Sequence, residues 1–150
     1  MSIEFAMNPE VKAKWVAALR SGQYTQGTCF LKRDVIVMGT TDQVTKFCCL
    51  GVLCDIAAQS GVNVTWKNFL QSGFDTWFAS STEIQHDIHS EQLPACVQAW
   101  AGLDSNDPVV TARTFGSQRA MNTRRTRLSE LNDHERFTFY EIADLIEEQL

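Results

Sequence analysis

The chemistry-bearing residues of this 150-residue chain gather in one stretch. Between Val109 and Leu128 stand Arg113, Arg119, Arg124, Arg125 and Arg127 with no acidic residue among them. Guanidinium forks suit phosphate oxygens, the interspersed Ser, Thr and Asn side chains add hydrogen bonds, and Phe115 supplies a ring on which a base can stack. The expected ligand-binding set is therefore Arg113, Phe115, Arg119, Arg124, Arg125 and Arg127. Their chemistry is capture of a small anion. The competing reading is an exposed loop whose charges pair with the acidic segment that follows, where Glu130, Asp133, Glu135, Glu141, Asp144, Glu147 and Glu148 face Arg136 alone.

Other constellations lead elsewhere. Cys48, Cys49 and Cys54 with His86 and His89 have the ligand types of a zinc site. On a helix, however, positions five or six apart do not share a face, so no metal and no cofactor is expected. A cysteine nucleophile at Cys48 or Cys49 needs a base, for which only His86, His89 and His134 are present, and its apolar neighbours Phe47 and Leu50 favour inert burial. His86-Asp87-Ile88-His89 lacks the glutamate and spacing of a metalloprotease helix and reads as a solvated polar stretch. Neither a Walker sequence nor a dinucleotide fingerprint occurs, which removes the ordinary nucleotide-hydrolysing classes. No catalytic residue is assigned, and the chain reads as a binder before an enzyme.

The elements that must position these residues follow from composition and periodicity. The chain is 44% hydrophobic with nine Phe and four Trp, enough for the core of a single domain over residues 1–150. Phe47 to Ala58 is apolar on nearly every side and should be a central helix. Asn8-Pro9-Glu10 opens a first helix that runs to about Ser21 and lays Trp15 on the core. Gln23 to Lys46 holds short β-branched and aromatic runs bounded by turn residues, the pattern of two or three strands of a hairpin or meander. Val62 to Trp66 alternates as a short strand, whereas Lys67 to Ser81 has no clean period. Leu93-Pro94 opens a short helix closed by Gly102, and Val109-Val110-Thr111 forms a strand. Thr138-Phe139-Tyr140-Glu141 is a capping box before the stripe Phe139, Ile142, Ala143, Ile146 and Leu150. The expected architecture is α+β, about four helices packed on a small antiparallel sheet.

Five cysteines, two of them adjacent, argue for reduced buried thiols instead of a disulfide framework. No apolar run approaches the ~20 residues of a membrane span, and the N-terminus lacks a secretory signal, so a cytoplasmic protein without membrane contact is expected. A net charge of -5 argues against general affinity for duplex nucleic acid.

Asn8-Pro9, Lys14-Trp15, Ala18-Leu19-Arg20-Ser21-Gly22, Tyr24, Gln26-Gly27 and Phe47-Cys48-Cys49-Leu50-Gly51-Val52-Leu53-Cys54-Asp55 together resemble a family of small uncharacterised proteins of tailed phages and prophages. The likeness continues through Leu93-Pro94, Val97, Trp100-Ala101-Gly102-Leu103, Leu131-Asn132-Asp133, Phe139, Ile142-Ala143-Asp144, Ile146-Glu147 and Leu150. It implies a phage-type accessory protein in the host cytoplasm, and such proteins are often counter-defence factors. It transfers no catalytic residue. The leading expectation is a non-catalytic protein that sequesters a small anionic ligand such as a nucleotide immune signal, with a homo-oligomer able to deepen the site. Two others stand beside it: an inhibitor that docks on a host defence protein, and a cysteine-dependent enzyme.

Overall fold

In the computed structural model, backbone is described for residues 6–71, 74–80, 88–89, 92–115 and 121–150, and side chains for all of these except 67–71, 74–80, 88–89, 115, 121 and 122. The centre is helix α2, Cys49–Gln59, which buries Cys49, Leu50, Gly51, Val52, Leu53, Cys54, Ile56 and Ala57 and so has protein on almost every side. Phe47 belongs to the preceding strand, and Cys48 is the N-cap, its Sγ accepting from the Gly51 N–H. Gly51 has no alternative: a Cβ there would lie 1.7 Å from the Leu31 carbonyl oxygen, so the strand-side backbone packs directly on the helix.

Helix α1, Pro9–Arg20, starts where the Asn8 side chain accepts from the Glu10 N–H and buries Val11, Trp15, Val16 and Leu19. The Trp15 indole reaches α2, donating to the Cys49 carbonyl oxygen at 2.9 Å. Helix α5, Phe139–Gln149, carries the capping box and buries Phe139, Ile142, Ala143 and Ile146. It packs on α1, where Arg20 pairs with Asp144 at 2.6 Å and Glu147 at 2.7 Å. Helix α3, Ala95–Ala101, is closed by Gly102 at φ 71°.

The fold is α+β, with five helices among the described residues where about four are expected. The extra one is α4, Leu128–Asp133. Its N-cap, Arg127, has no capping side chain; the cap comes from Asp107, whose carboxylate accepts from the Ser129 N–H at 3.1 Å and from the Ser129 hydroxyl. Asp107 is 5% exposed, and burial pushes its carboxyl upward while Ser129 opposes the shift. A cap brought from 22 residues away leaves no local signature.

The strands form two sheets. In the larger, β1 (Thr25–Gln26), β3 (Gln43–Phe47), β2 (Lys32–Ile36), β5 (Phe74–Ser80) and β4 (Thr65–Gln71) lie in that order, and β6 (Ile88–His89) pairs with β5. The pairing is antiparallel except for β1, which runs parallel to β3. Cys29-Phe30-Leu31 joins no strand, because Cys29 adopts φ 70°. The smaller sheet is the hairpin β7 (Val109–Phe115) with β8 (Met121–Arg127), longer than the three-residue strand expected. Val110 and Ala112 of β7 enter the same buried cluster as α1, α2, α4 and α5.

Candidate functional site

The β7–β8 hairpin disperses the arginines that the sequence groups together. Antiparallel pairing sets Ala112 opposite Arg124, Arg113 opposite Thr123 and Val109 opposite Arg127. Strand side chains alternate between faces, so Arg113, Arg125 and Arg127 share the outer face with Thr111 and Thr123, while Arg124 lies on the inner face with Ala112 and Thr126. Arg124 is neutralised there by Glu135 at 2.9 Å and Glu130 at 3.6 Å. Among the described residues, Arg113, Arg125 and Arg127 enter no salt bridge, and all three are exposed. Phe115 ends β7, with its side chain outside the described set, and Arg119 lies outside the described residues. Arg124 is therefore set apart from Arg113, Arg125 and Arg127 as the ion-pair partner of Glu130 and Glu135, and Arg127 lines a cleft.

The enclosed cationic site lies elsewhere, around the loop Gln26 to Cys29. Arg33 of β2 and Lys46 of β3 are direct cross-strand partners and line a pocket of about 250 Å³ with Gln26, Gly27, Thr28, Phe30 and Val35. The Arg33 guanidinium lies over the Phe30 ring, its Cζ 3.5 Å from the ring centroid. Two cationic side chains side by side on one face of the ladder favour an anionic ligand there. Gly27 brings the loop onto the strand: its N–H donates to the Phe47 carbonyl oxygen at 2.7 Å, and a Cβ at this position would lie 2.7 Å from the Lys46 Cβ.

The loop is held rigidly from behind. Gln26 donates through Nε2 to Asn132 Oδ1 at 2.9 Å and to the Phe137 carbonyl oxygen at 2.7 Å, and its Oε1 accepts from the Phe139 N–H at 3.1 Å. Asn132 Nδ2 donates to the Gly27 carbonyl oxygen and to Asp133 Oδ1, both at 2.8 Å, and Asp133 Oδ1 also accepts from the Cys29 N–H at 2.9 Å. Over Gln26 and Thr28 the pocket continues into a second cleft of about 460 Å³, walled by Asn132, Asp133, Arg136 and Phe137. Past Asp133 a third cleft holds Cys29, Asp107, Ser129, His134 and Arg127. The result is a groove around one fixed loop, with Arg33 and Lys46 at one end, Arg136 in the middle and Arg127 at the other.

Arg33 and Lys46 carry no local motif that marks them as a pair. The signal available was the symmetry of the β2–β3 hairpin, whose partners all straddle Gly39-Thr40 and so place residue 33 against residue 46. The thiols follow expectation more closely. Cys48, Cys49 and Cys54 are buried at 3%, 0% and 1% exposure. Burial pushes the Cys48 thiol up to about 12 and the other two well above the ordinary range, opposite to the activation a nucleophile needs. His86 lies outside the described residues, and His89 is described only as backbone of β6. Among the described residues no helix is long and apolar enough to cross a membrane.

A family model described as a domain of unknown function, DUF8296, matches residues 7–150. No curated protein matches the chain, and no solved structure does.

Proposed function

The chain belongs to the DUF8296 family, whose model spans nearly all of it, and from the groove we propose that it is a non-catalytic binding protein that captures a small anionic ligand of nucleotide type. One observation carries this reading: Arg33 and Lys46 oppose each other across the ladder inside a pocket whose wall is fixed by Gln26 and Asn132. A pre-organised wall lowers the ordering cost of binding, and two cationic side chains on one wall favour an anionic ligand. About 250 Å³ admits a phosphate group, and the adjoining cleft beside Arg136 has room for the remainder of a nucleotide. The Arg33 guanidinium over the Phe30 ring is a planar platform that a base can extend.

Sequestration needs no nucleophile or general base, and the three thiols of α2 are buried out of any such role. The likeness to tailed-phage and prophage proteins gives the capture a purpose, removal of a nucleotide immune signal from the host cytoplasm. Calorimetry of the full chain against a panel of cyclic and linear nucleotides tests it. Uptake of one of them is expected, lost in Lys46→Ala and Arg33→Ala, with the ligand recovered chemically unchanged after denaturing the complex. Heat from none of the panel, or recovery of a converted product, overturns the reading.

A second reading rests on the β2–β3 hairpin tip, where Ile36, Val37 and Met38 are exposed, Met38 at 96%. An apolar tip of this kind suits docking on a host defence protein. Affinity purification that returns one stoichiometric protein, lost in Met38→Ser but kept in Lys46→Ala, would favour it.

A further inference from the structure

We propose that the outer face of the β7–β8 hairpin is a second binding surface, distinct from the Arg33–Lys46 pocket and meeting the groove at Arg127, and that it takes the sugar-phosphate backbone of single-stranded nucleic acid. Arg113, Arg125 and Arg127 project from this face with Thr111 and Thr123 between them, over a length of about 13 Å. Several carboxylates are committed to other partners: Glu130 and Glu135 hold Arg124 on the opposite face, and Asp144 and Glu147 hold Arg20. Asp107 caps α4 through Ser129 and also attracts Arg127. Among the described residues Arg113, Arg125 and Arg127 form no salt bridge, so three exposed guanidinium groups share one face of a protein of net charge -5.

The face is also fixed in place. The Gln149 side chain accepts from the Thr111 N–H and donates to the Thr111 carbonyl oxygen, each at 2.7 Å, which ties the hairpin to α5. Guanidinium groups on a rigid support lose little freedom when they meet phosphates. Duplex is the poorer fit. Its charge of one per ~1.7 Å of axis would press the acidic remainder of this protein against the densest field, whereas a flexible single strand can lie along the short face alone. Exposed arginines also guard an edge strand against pairing with another chain. That role predicts self-association on their removal and no nucleic-acid binding by the native protein.

Fluorescence anisotropy with a labelled oligothymidylate of about 16 nucleotides decides between them. Three phosphate contacts predict that log K falls with log salt at a slope of about −2, from ~0.7 per contact on a single strand. Arg113→Ala and Arg125→Ala should each reduce that slope by about 0.7. Arg124→Ala, on the other face, should leave it unchanged, with circular dichroism confirming that every variant is folded. Absence of binding at low salt up to ~100 μM, the weak end of non-specific association, overturns the proposal. So does equal or tighter binding of a duplex of the same length, or an equal loss in Arg124→Ala.

Discussion

The Asn132 side chain, 1% exposed, donates to the Gly27 carbonyl oxygen at 2.8 Å and accepts from Gln26 Nε2 at 2.9 Å, joining the last turn of α4 to the loop that walls the cationic pocket. Asn132→Leu keeps the volume but strands the Gly27 carbonyl and one Gln26 proton in a buried place. Each unsatisfied group costs about 1–3 kcal/mol, so a loss of ~2–6 kcal/mol is expected for the two. A urea midpoint that falls accordingly, with nucleotide uptake weakened in the fraction still folded, supports the linkage. An unshifted midpoint would mean that the loop stands without it.

Gly51 and Gly39 should respond oppositely to the same change. A Cβ at Gly51 would sit 1.7 Å from the Leu31 carbonyl oxygen, and that atom belongs to backbone which cannot turn aside. Gly51→Ala must therefore push α2 off the sheet, with a loss of ~3 kcal/mol or more. Gly39, at φ 81° in the hairpin tip, has open space around it, so Gly39→Ala meets only the left-handed backbone penalty of ~1–2 kcal/mol. Thermal melts of the two variants side by side provide the check. Similar losses would contradict the close approach at Leu31.

Lys46→Gln tests whether the cation pair at the pocket exists for binding or for the fold. Removing one of two like charges set directly opposite should change the stability of the ligand-free protein by no more than ~1 kcal/mol while abolishing anion uptake. Denaturation in low and high salt adds a signature, because screening should narrow the gap between variant and native protein. A variant destabilised by more than that would assign Lys46 a structural role.

What could be read from the chain beforehand was whatever is encoded locally. The Asn8 cap, the Thr138 capping box and the unbroken apolar run of α2 each lie within a few residues of the element they define, and each is found. Helix α4 escaped notice because its cap is Asp107, contributed through tertiary structure. The arginine set was identified by composition, but composition carries no information on which strand face a residue takes. A single step along β8 separates Arg124, bound by Glu130 and Glu135, from Arg125 on the open face. Arg33 and Lys46 are 13 positions apart in sequence and become neighbours only through hairpin register. The clefts themselves depend on contacts between Gln26 and Asn132, more than 100 residues apart, which no local pattern announces.

The buried thiols of α2 predict an alkaline limit to stability. In the unfolded chain they titrate near 8.5–9, whereas in the folded protein burial holds Cys48 up to about 12 and keeps Cys49 and Cys54 well above the ordinary range. Above about pH 9 the unfolded state has therefore released protons that the folded state retains. Stability then falls as pH rises, by up to ~1.4 kcal/mol per pH unit for each thiol and ~4 kcal/mol for the three. Tyr24, its hydroxyl donating to Asp55 at 2.7 Å and its titration also raised by burial, adds to the fall above about pH 10. Below pH 8 these groups contribute no slope. Urea unfolding at pH 7, 9.5 and 10.5 should show the decline, and Cys54→Ala should remove about a third of the thiol part, after correction for its own cavity cost at pH 7. Thiol labelling gives an independent view: in the folded protein Cys29, which is exposed, should react quickly, and Cys48, Cys49 and Cys54 only at the rate of unfolding. Stability that stays level from pH 8 to 10.5 would mean that the three thiols are not sealed in the core.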